Sequence, residues 1–320
     1  SSIETPIYSL SSINSIELFN DEIWVASSTD FLSLYMTQQY KTYSANRSRD
    51  HSFNKLMVDA SNQLIGGSPN GFSIYSDLGW RTIKAGNFNS EFDENLYNWN
   101  EMIVGTLDFL GDKPIEDIVT DGNGNTFFSI QRHGVFKLDD EQPGDSKFFG
   151  AADGSLEPTF DGASTNYVLP GQMSLDSEDN VWVTTKFVRE GGGVISIFSP
   201  DDSIYHIYQY QGGLESRSVK SIAIDDNDMV WLGSQVRTEL QAGGGIDFLE
   251  IVGGSLHNDM EINVSHLTTD SPLASNEILQ LEVDTHNTLW ILTPAGVQSM
   301  PLPDRWLTSS ELKNHASLYM

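Results

Sequence analysis

The chain has 320 residues, no cysteine, and 45 acidic against 17 basic residues, which gives a formal net charge of −28. Such acidity argues against nucleic-acid binding, which needs a basic face to displace phosphate counterions. No apolar run approaches the roughly 20 residues that span a bilayer, so we expect no direct membrane insertion. The 16 Phe, 7 Trp and 11 Tyr are spread along the chain and predict a folded body with a large core.

One sequence pattern recurs five times. Each copy has an apolar residue, any residue, a small or apolar residue and Asp, then four mostly polar residues and a short apolar run that usually centres on an aromatic. A degenerate sixth copy, IELFNDEIWV from Ile16, keeps the aromatic run but has a shortened loop. The five copies are LMVDASNQLIG from Leu56, IVTDGNGNTFF from Ile118, MSLDSEDNVWV from Met173, IAIDDNDMVWL from Ile222 and LEVDTHNTLWI from Leu281.

Each copy predicts two strands joined by a polar turn, because apolar residues alternate on both sides of an Asp- and Asn-rich segment. A glycine followed by an apolar residue then predicts a third strand, and a weaker fourth follows, such as Ser203 to Tyr208. The third-strand signals are Gly71-Phe72, Gly134-Val135, Gly193-Val194, Gly245-Ile246 and Gly296-Val297.

The spacing of the copies predicts the architecture. Their central residues lie about 40 to 60 residues apart, which is the length of one four-stranded propeller blade with its loops. No helical period interrupts the strands, so the chain is predicted to be all-β. We expect residues 1–320 to form a single β-propeller of six or seven four-stranded blades, with Arg305 to Met320 and Ser1 to Leu10 supplying closing strands or part of a seventh blade.

The repeat, written ΦxΦDxxxxΦWΦ and followed by a glycine and a third strand, resembles the two-component-regulator propeller repeat over nearly the whole chain. This resemblance implies one of two roles: the sensor half of a bacterial hybrid histidine kinase, or an accessory surface propeller of the type IX secretion system, of the PorZ type. In either case it implies an extracytoplasmic recognition protein, in the periplasm or at the cell surface, of which the chain is a fragment or mature portion.

The acidic loops within the repeats have two interpretations. The spacing Asp121-Gly-Asn123-Gly-Asn125 imitates the oxygen ligands of a calcium loop, as do the acidic residues at 176–179 and 225–228. However, the Glu that completes an EF-hand loop is missing, and Asp and Asn are preferred in tight turns because they bond their own backbone. We therefore predict turns, with no metal site and no cofactor.

Several of the few basic residues are predicted to lie at one end of the propeller. In each blade, the loop from the second to the third strand and the loop that leads to the next blade open on the same face. This face would attract a partner protein, an anionic glycan or a lipopolysaccharide head group. Alternatively, Glu190, Glu215 and Glu239 neutralise the nearby cations. The candidate ligand-binding residues are Arg47, Arg49, His51, Arg132, His133, Lys186, Arg189, Arg217 and Arg237.

Sequence motifs of catalysis are scarce. The chain has no HExxH pair, no GxSxG elbow and no Cys nucleophile, so we expect a non-catalytic protein. The alternative is a propeller lyase, similar to streptogramin lyase, that acts on an anionic polysaccharide or a cyclic ester. Its bases would then be His51 and His133, because both map to the proposed face.

Overall fold

The computed structural model describes most of the chain, and the chain divides into two compact units. The first unit is Ser1–Ile130 with Lys137–Ser146, and the second is Gln131–Phe136 with Lys147–Met320. The described residues are 13–19, 22–27, 32–36, 39–43, 53–59, 62–68, 71–76, 79–84, 114–139, 147–151, 154–159, 167–237, 242–255, 258–269 and 272–320.

Antiparallel sheets with sequential strand order make up the first unit. The first sheet contains β1 (Ile13–Phe19), β2 (Glu22–Ser27), β3 (Leu32–Met36) and β4 (Gln39–Tyr43). The second contains β5 (Lys55–Val58), β6 (Leu64–Ser68), β7 (Gly71–Ser76) and β8 (Gly79–Lys84). The unit also contains the hairpin of β9 (Ile115–Thr120) and β10 (Asn125–Ile130).

The third sheet has the order β9, β10, β11 (Gly134–Asp139) and β12 (Lys147–Gly150), and the boundary between the units falls within it. Within the second unit, the fourth sheet contains β13 (Pro170–Leu175), β14 (Val181–Thr185), β15 (Gly193–Phe198) and β16 (Ile204–Tyr208). The fifth contains β17 (Val219–Ile224), β18 (Val230–Arg237), β19 (Ala242–Ser255) and β20 (Asn258–Leu267). The sixth contains only β21 (Gln280–Val283), β22 (Thr288–Thr293) and β23 (Gly296–Pro301).

The repeat aspartate organises the turn between the first and second strands. In the fourth sheet, Asp176 Oδ1 accepts hydrogen bonds from the backbone N–H groups of Glu178 and Asn180 at 3.0 and 2.9 Å. The third residue after each Asp has a positive φ, which Gly, Asn and Asp tolerate best. These residues are Asn62, Gly124, Asp179, Asp228 and Asn287, with φ between 55° and 85°. The acidic loops are therefore turns, as the sequence predicts.

The repeated tryptophans bond to the same aspartates but differ in burial. The indole N–H of Trp182 donates to Asp176, and that of Trp231 donates to Asp225. Both side chains are fully buried; Trp231 also stacks on Phe248, with ring centroids 4.2 Å apart. Trp290 makes the equivalent bond to Asp284 but is 46% exposed. Two of the three repeat tryptophans are thus core residues.

The prediction of six or seven four-stranded blades is wrong in detail. The described residues form five four-stranded sheets and a sixth sheet of three strands. After β23 comes Pro303, which has no N–H to donate to a further strand. Helix α1 (Ser309–Tyr319) then begins, so that residues 309–319 supply no closing strand. Ser1 to Leu10 lie outside the described residues.

Local sequence explains why α1 forms there. Thr308 and Glu311 form a reciprocal capping box, which satisfies backbone N–H groups at the start of the helix. Leu312 and Ala316, four residues apart, lie on one face and are buried in the same cluster as Trp231. The helix therefore covers apolar surface of the fifth and sixth sheets.

The difference in burial predicts a difference in stability between two tryptophan variants. Trp231→Ala removes a fully buried ring and should lower the free energy of unfolding by about 3 to 5 kcal/mol. Trp290→Ala removes the same indole-to-aspartate bond but a half-exposed ring, so the loss should be clearly smaller. Chemical denaturation followed by circular dichroism compares the two. An unchanged midpoint for Trp231→Ala would contradict the assignment of this residue to the core.

Candidate functional site

Two loops of the second unit form one surface at one end of the fourth sheet. The first loop, 186–192, joins the second and third strands of this sheet, and the second, 209–218, leads from its fourth strand to the fifth sheet. The backbone N–H of Val188 donates to the carbonyl oxygen of Arg217 at 3.0 Å, and Ser218 Oγ donates to the carbonyl oxygen of Lys186 at 2.8 Å. We refer to residues 186–192 and 209–218 as the candidate surface.

Gln209 holds the two loops together from within. Its backbone N–H donates to the carbonyl oxygen of Gly192 at 3.0 Å, and its side-chain Nε2 donates to the carbonyl oxygen of Glu215 at 2.8 Å. Its Oε1 accepts from the backbone N–H of Gly191 at 2.9 Å. Because Gln209 is buried, these bonds order both loops before any ligand binds.

The cations of the candidate surface lie beside carboxylates and aromatic rings. Arg189 Nη2 is 3.0 Å from Oε2 of Glu157, which adjoins the surface. The guanidinium of Arg217 lies 5.5 Å from the centroid of the Phe187 ring, a cation–π distance. Lys186 is half-buried. Both arginines are thus held in place, and both remain partly exposed.

Two tyrosines expose large rings next to these arginines. Tyr208 is 40% exposed and Tyr210 is 58% exposed. Tyr210 has a left-handed backbone, φ 73°, which is unfavourable for a bulky residue, and its hydroxyl donates to Glu190 at 3.2 Å. Partial burial, followed by the charge of Glu157, raises the pKa of the Tyr208 hydroxyl. The surface therefore displays aromatic area as well as charge.

The structure brings together three of the predicted ligand-binding residues, Lys186, Arg189 and Arg217. Arg132 and His133 lie in the turn between β10 and β11, where Arg132 is exposed and the half-buried His133 ring packs edge-on against Phe148. Arg237 ends β18, and nothing is described of its side chain. Arg47, Arg49 and His51 lie outside the described residues.

The candidate surface is not an uninterrupted basic face. Lys186, Arg189 and Arg217 are matched by Glu157, Glu190 and Glu215 on or beside the candidate surface, so these six side chains sum to zero. The partners that the sequence suggested were Glu190, Glu215 and Glu239; the structure pairs Arg189 with Glu157, Glu190 accepts from the Tyr210 hydroxyl, and Glu239 lies outside the described residues. A neutral surface on a chain of net charge −28 still repels an acidic ligand less than the rest of the molecule does.

A histidine and a buried aspartate at the same end of the fifth sheet were missed by the sequence analysis. Asp247 on β19 and His266 on β20 are directly opposite each other, and the Nδ1 to Oδ1 distance is 2.5 Å. Asp247 is 2% exposed. The hydrogen bond to Asp247 raises the pKa of His266. No sequence signal pairs these residues, because the register of β19 and β20 is a tertiary property.

Metal-binding clusters and membrane-spanning helices are both absent from the described part of the chain. It contains no group of three or more His, Asp or Glu side chains arranged to hold a metal ion. The carboxylate of Asp121, which begins one of the calcium-like spacings in the sequence, accepts hydrogen bonds from the backbone N–H groups of Asn123 and Asn125. In the same residues, no helix has the length and apolar character that crossing a membrane requires.

Comparison with known proteins shows the fold. No protein-family model matches the sequence, and no curated protein is significantly similar to it. Solved structures do match. The extracellular domain of the putative hybrid two-component system BT3049 from B. thetaiotaomicron is 15% identical, with a TM-score of 0.62 over 91% of this chain and 33% of that one. This chain thus spans about a third of that protein domain.

Two other structures are similar to a comparable degree. PorZ, a surface component of the type IX secretion system of Porphyromonas gingivalis, is 15% identical, with a TM-score of 0.57 over 89% of this chain and 46% of PorZ. Virginiamycin B lyase from Staphylococcus aureus is 11% identical, with a TM-score of 0.58 over 95% of this chain and 87% of the lyase. The all-β propeller prediction is confirmed, and both groups that the repeat resembles are represented among these structures.

The raised pKa of His266 predicts how stability depends on pH. A folded-state pKa above the ordinary 6.5 means that the folded protein binds the proton more tightly than the unfolded chain. This stabilisation is fully present below pH 6.5 and is lost as the pH rises through the folded-state pKa. The difference in unfolding free energy between the wild type and His266→Gln should therefore shrink over that range. Denaturant titrations at a series of pH values measure it, and a difference that grows with pH would contradict the assignment.

Proposed function

We propose that this chain is an extracytoplasmic recognition propeller that binds a partner protein or an anionic glycan through the candidate surface. It would serve as the sensing part of a two-component regulator or as an accessory component of a type IX-like secretion machine. The similarity in fold to BT3049 and PorZ, an extracellular domain and a bacterial surface component, supports this setting.

One observation carries the proposal: the two loops are ordered by internal hydrogen bonds and display arginines beside exposed tyrosines. Ordering in advance reduces the entropy that binding would otherwise cost. The planar guanidinium of Arg217, which lies over the Phe187 ring, can bond a carboxylate or phosphate in a bidentate manner. Tyr208 and Tyr210 add rigid area with few rotatable bonds, as in many recognition surfaces.

The left-handed conformation of Tyr210 is a further argument. Left-handed backbone costs about 1 to 2 kcal/mol for a residue that carries a Cβ, and most other such residues in the described part of the chain are Asn or Asp. The turn after Tyr210 is tightly packed, since a Cβ on Gly212 would lie 2.4 Å from the carbonyl oxygen of Ile262. The fold thus holds an exposed tyrosine in an unfavourable conformation, which is typical of functional sites.

A matched pair of variants tests the surface. Arg189→Ala with Arg217→Ala removes both arginines from the candidate surface. Lys147→Ala is the control, because Lys147 is a partly exposed cation of the same unit that also pairs with a carboxylate, Asp202, but lies at the opposite end of the sheets. Binding to an array of acidic glycans and to lipopolysaccharide is measured at several salt concentrations.

We expect the wild type and Lys147→Ala to bind alike, and the double variant to bind at least tenfold more weakly. Binding should also weaken as salt rises, because the contacts are between opposite charges near the surface. Equal binding by all three proteins, or binding insensitive to salt, would reject the anionic ligand. If the wild type binds a protein partner and the double variant does not, the ligand of the candidate surface is a protein.

A further inference from the structure

The Asp247–His266 pair has the geometry of a proton-transfer site. Asp247 Oδ1 accepts from Nδ1 of the ring, so the neutral imidazole carries its proton on Nδ1 and keeps the lone pair of Nε2 free to accept another. None of the described residues forms a hydrogen bond with Nε2. The side chain of His266 is 47% exposed, whereas that of Asp247 is 3% exposed. A buried carboxylate thus orients an accessible base.

The second carboxylate oxygen of Asp247 is also unusual. Oδ2 is buried and has no hydrogen-bond partner in the described part of the chain. A buried polar atom without a partner is destabilising, and native structures contain few of them. The negative charge of the buried Asp247 carboxylate would stabilise an imidazolium that forms on His266.

A glycine packs beside the ring. Gly245, two residues before Asp247 and on the same face of β19, has φ +106°. A Cβ there would lie 2.6 Å from the carbonyl oxygen of Leu267 and 3.6 Å from Cε1 of His266. A side chain at this position would therefore clash with the Leu267 carbonyl oxygen and would contact the edge of the imidazole at ordinary van der Waals distance.

We propose that His266, oriented by Asp247, is the general base of a hydrolytic site that acts on a carboxylic ester, linear or cyclic. His266 is the catalytic residue and Asp247 is a positioning residue. This activity is separate from recognition at the candidate surface, although Glu215 of that surface lies close enough to affect the charge of His266. An ester fits because one base can both activate water and return the proton to an alkoxide leaving group, without a cysteine or serine nucleophile.

The step balances in protons and electrons. Nε2 of neutral His266 takes a proton from a water molecule while the water oxygen forms a bond to the ester carbonyl carbon. The tetrahedral intermediate then expels the alkoxide by breaking the C–O bond. The proton on Nε2 passes to the alkoxide, which becomes an alcohol, and His266 is neutral again. A linear ester gives an alcohol and a carboxylic acid, whereas a cyclic ester gives one hydroxy acid.

The charges around His266 set the pH at which it acts as a base. Asp247 and Glu215 raise its pKa, whereas burial and Lys313 of α1 lower it, and the net direction is upward. The backbone N–H of His266 also donates to Ser309 Oγ at the start of α1, which holds the strand end in place. Because the base must be neutral, the rate should rise with pH through the pKa of His266.

The test uses the intact chain with p-nitrophenyl acetate as the linear ester and δ-valerolactone as the cyclic one. The variants are His266→Gln and Asp247→Asn, and the control is His286→Gln, which alters an exposed histidine in the turn between β21 and β22. The pKa of His266 is measured separately by NMR titration. Circular dichroism confirms that each variant is folded.

We expect the wild type and His286→Gln to hydrolyse one or both esters with the same kcat/KM, and His266→Gln to be about 10² to 10⁴-fold slower. The wild-type rate should rise with an inflection at the NMR pKa, and Asp247→Asn should lower both that pKa and the rate. A wild-type rate equal to that of His266→Gln, or an inflection that differs from the NMR pKa, would overturn the proposal. If a variant does not fold, the comparison of the wild-type pH–rate inflection with the NMR pKa of His266 still tests the proposal. Loss of glycan binding without loss of ester hydrolysis would separate this site from the candidate surface.

Discussion

The carboxylate of the repeat aspartate is the interaction on which the rest of the structure depends. Asp225 accepts hydrogen bonds from the backbone N–H groups of Asn227 and Met229 and from the indole of Trp231. These bonds close the turn and set the first residue of the second strand. They also fix where the aromatic ring points. Equivalent backbone bonds recur at Asp121, Asp176 and Asp284. The same local hydrogen bonds therefore close the turn between the first and second strands in successive sheets.

Once these turns are formed, the opposite end of each sheet is free to vary. The loops there differ in length and composition, because no repeat residue is needed to close them. In the fourth sheet they supply the candidate surface, and at the same end of the fifth sheet strands β19 and β20 carry the Asp247–His266 pair. A rigid, repeated framework with variable loops at one end is a common basis for binding sites.

Local features were predictable from the sequence, and tertiary ones were not. The turn at Asp176 and the position of Trp182 depend on residues within six positions of each other, so a short pattern predicts them. The exposure of Trp290 depends on what covers its sheet. The partner of Arg189 is Glu157, which lies 32 residues away. The pairing of Asp247 with His266 depends on the register of β19, which at 14 residues is longer than the repeat predicts.

Hydrogen exchange of the tryptophan indole N–H groups, followed by NMR, tests the central role of the aspartate most directly. The account predicts that the indole protons of Trp182 and Trp231 exchange only by unfolding, because each is buried and bonded to its aspartate, and that Asp225→Ala makes the Trp231 proton exchange much faster while that of Trp182 stays protected. If both indole protons exchanged at the rate of free indole in the wild type, or if Asp225→Ala left the Trp231 proton unchanged, the aspartate would not organise the repeat.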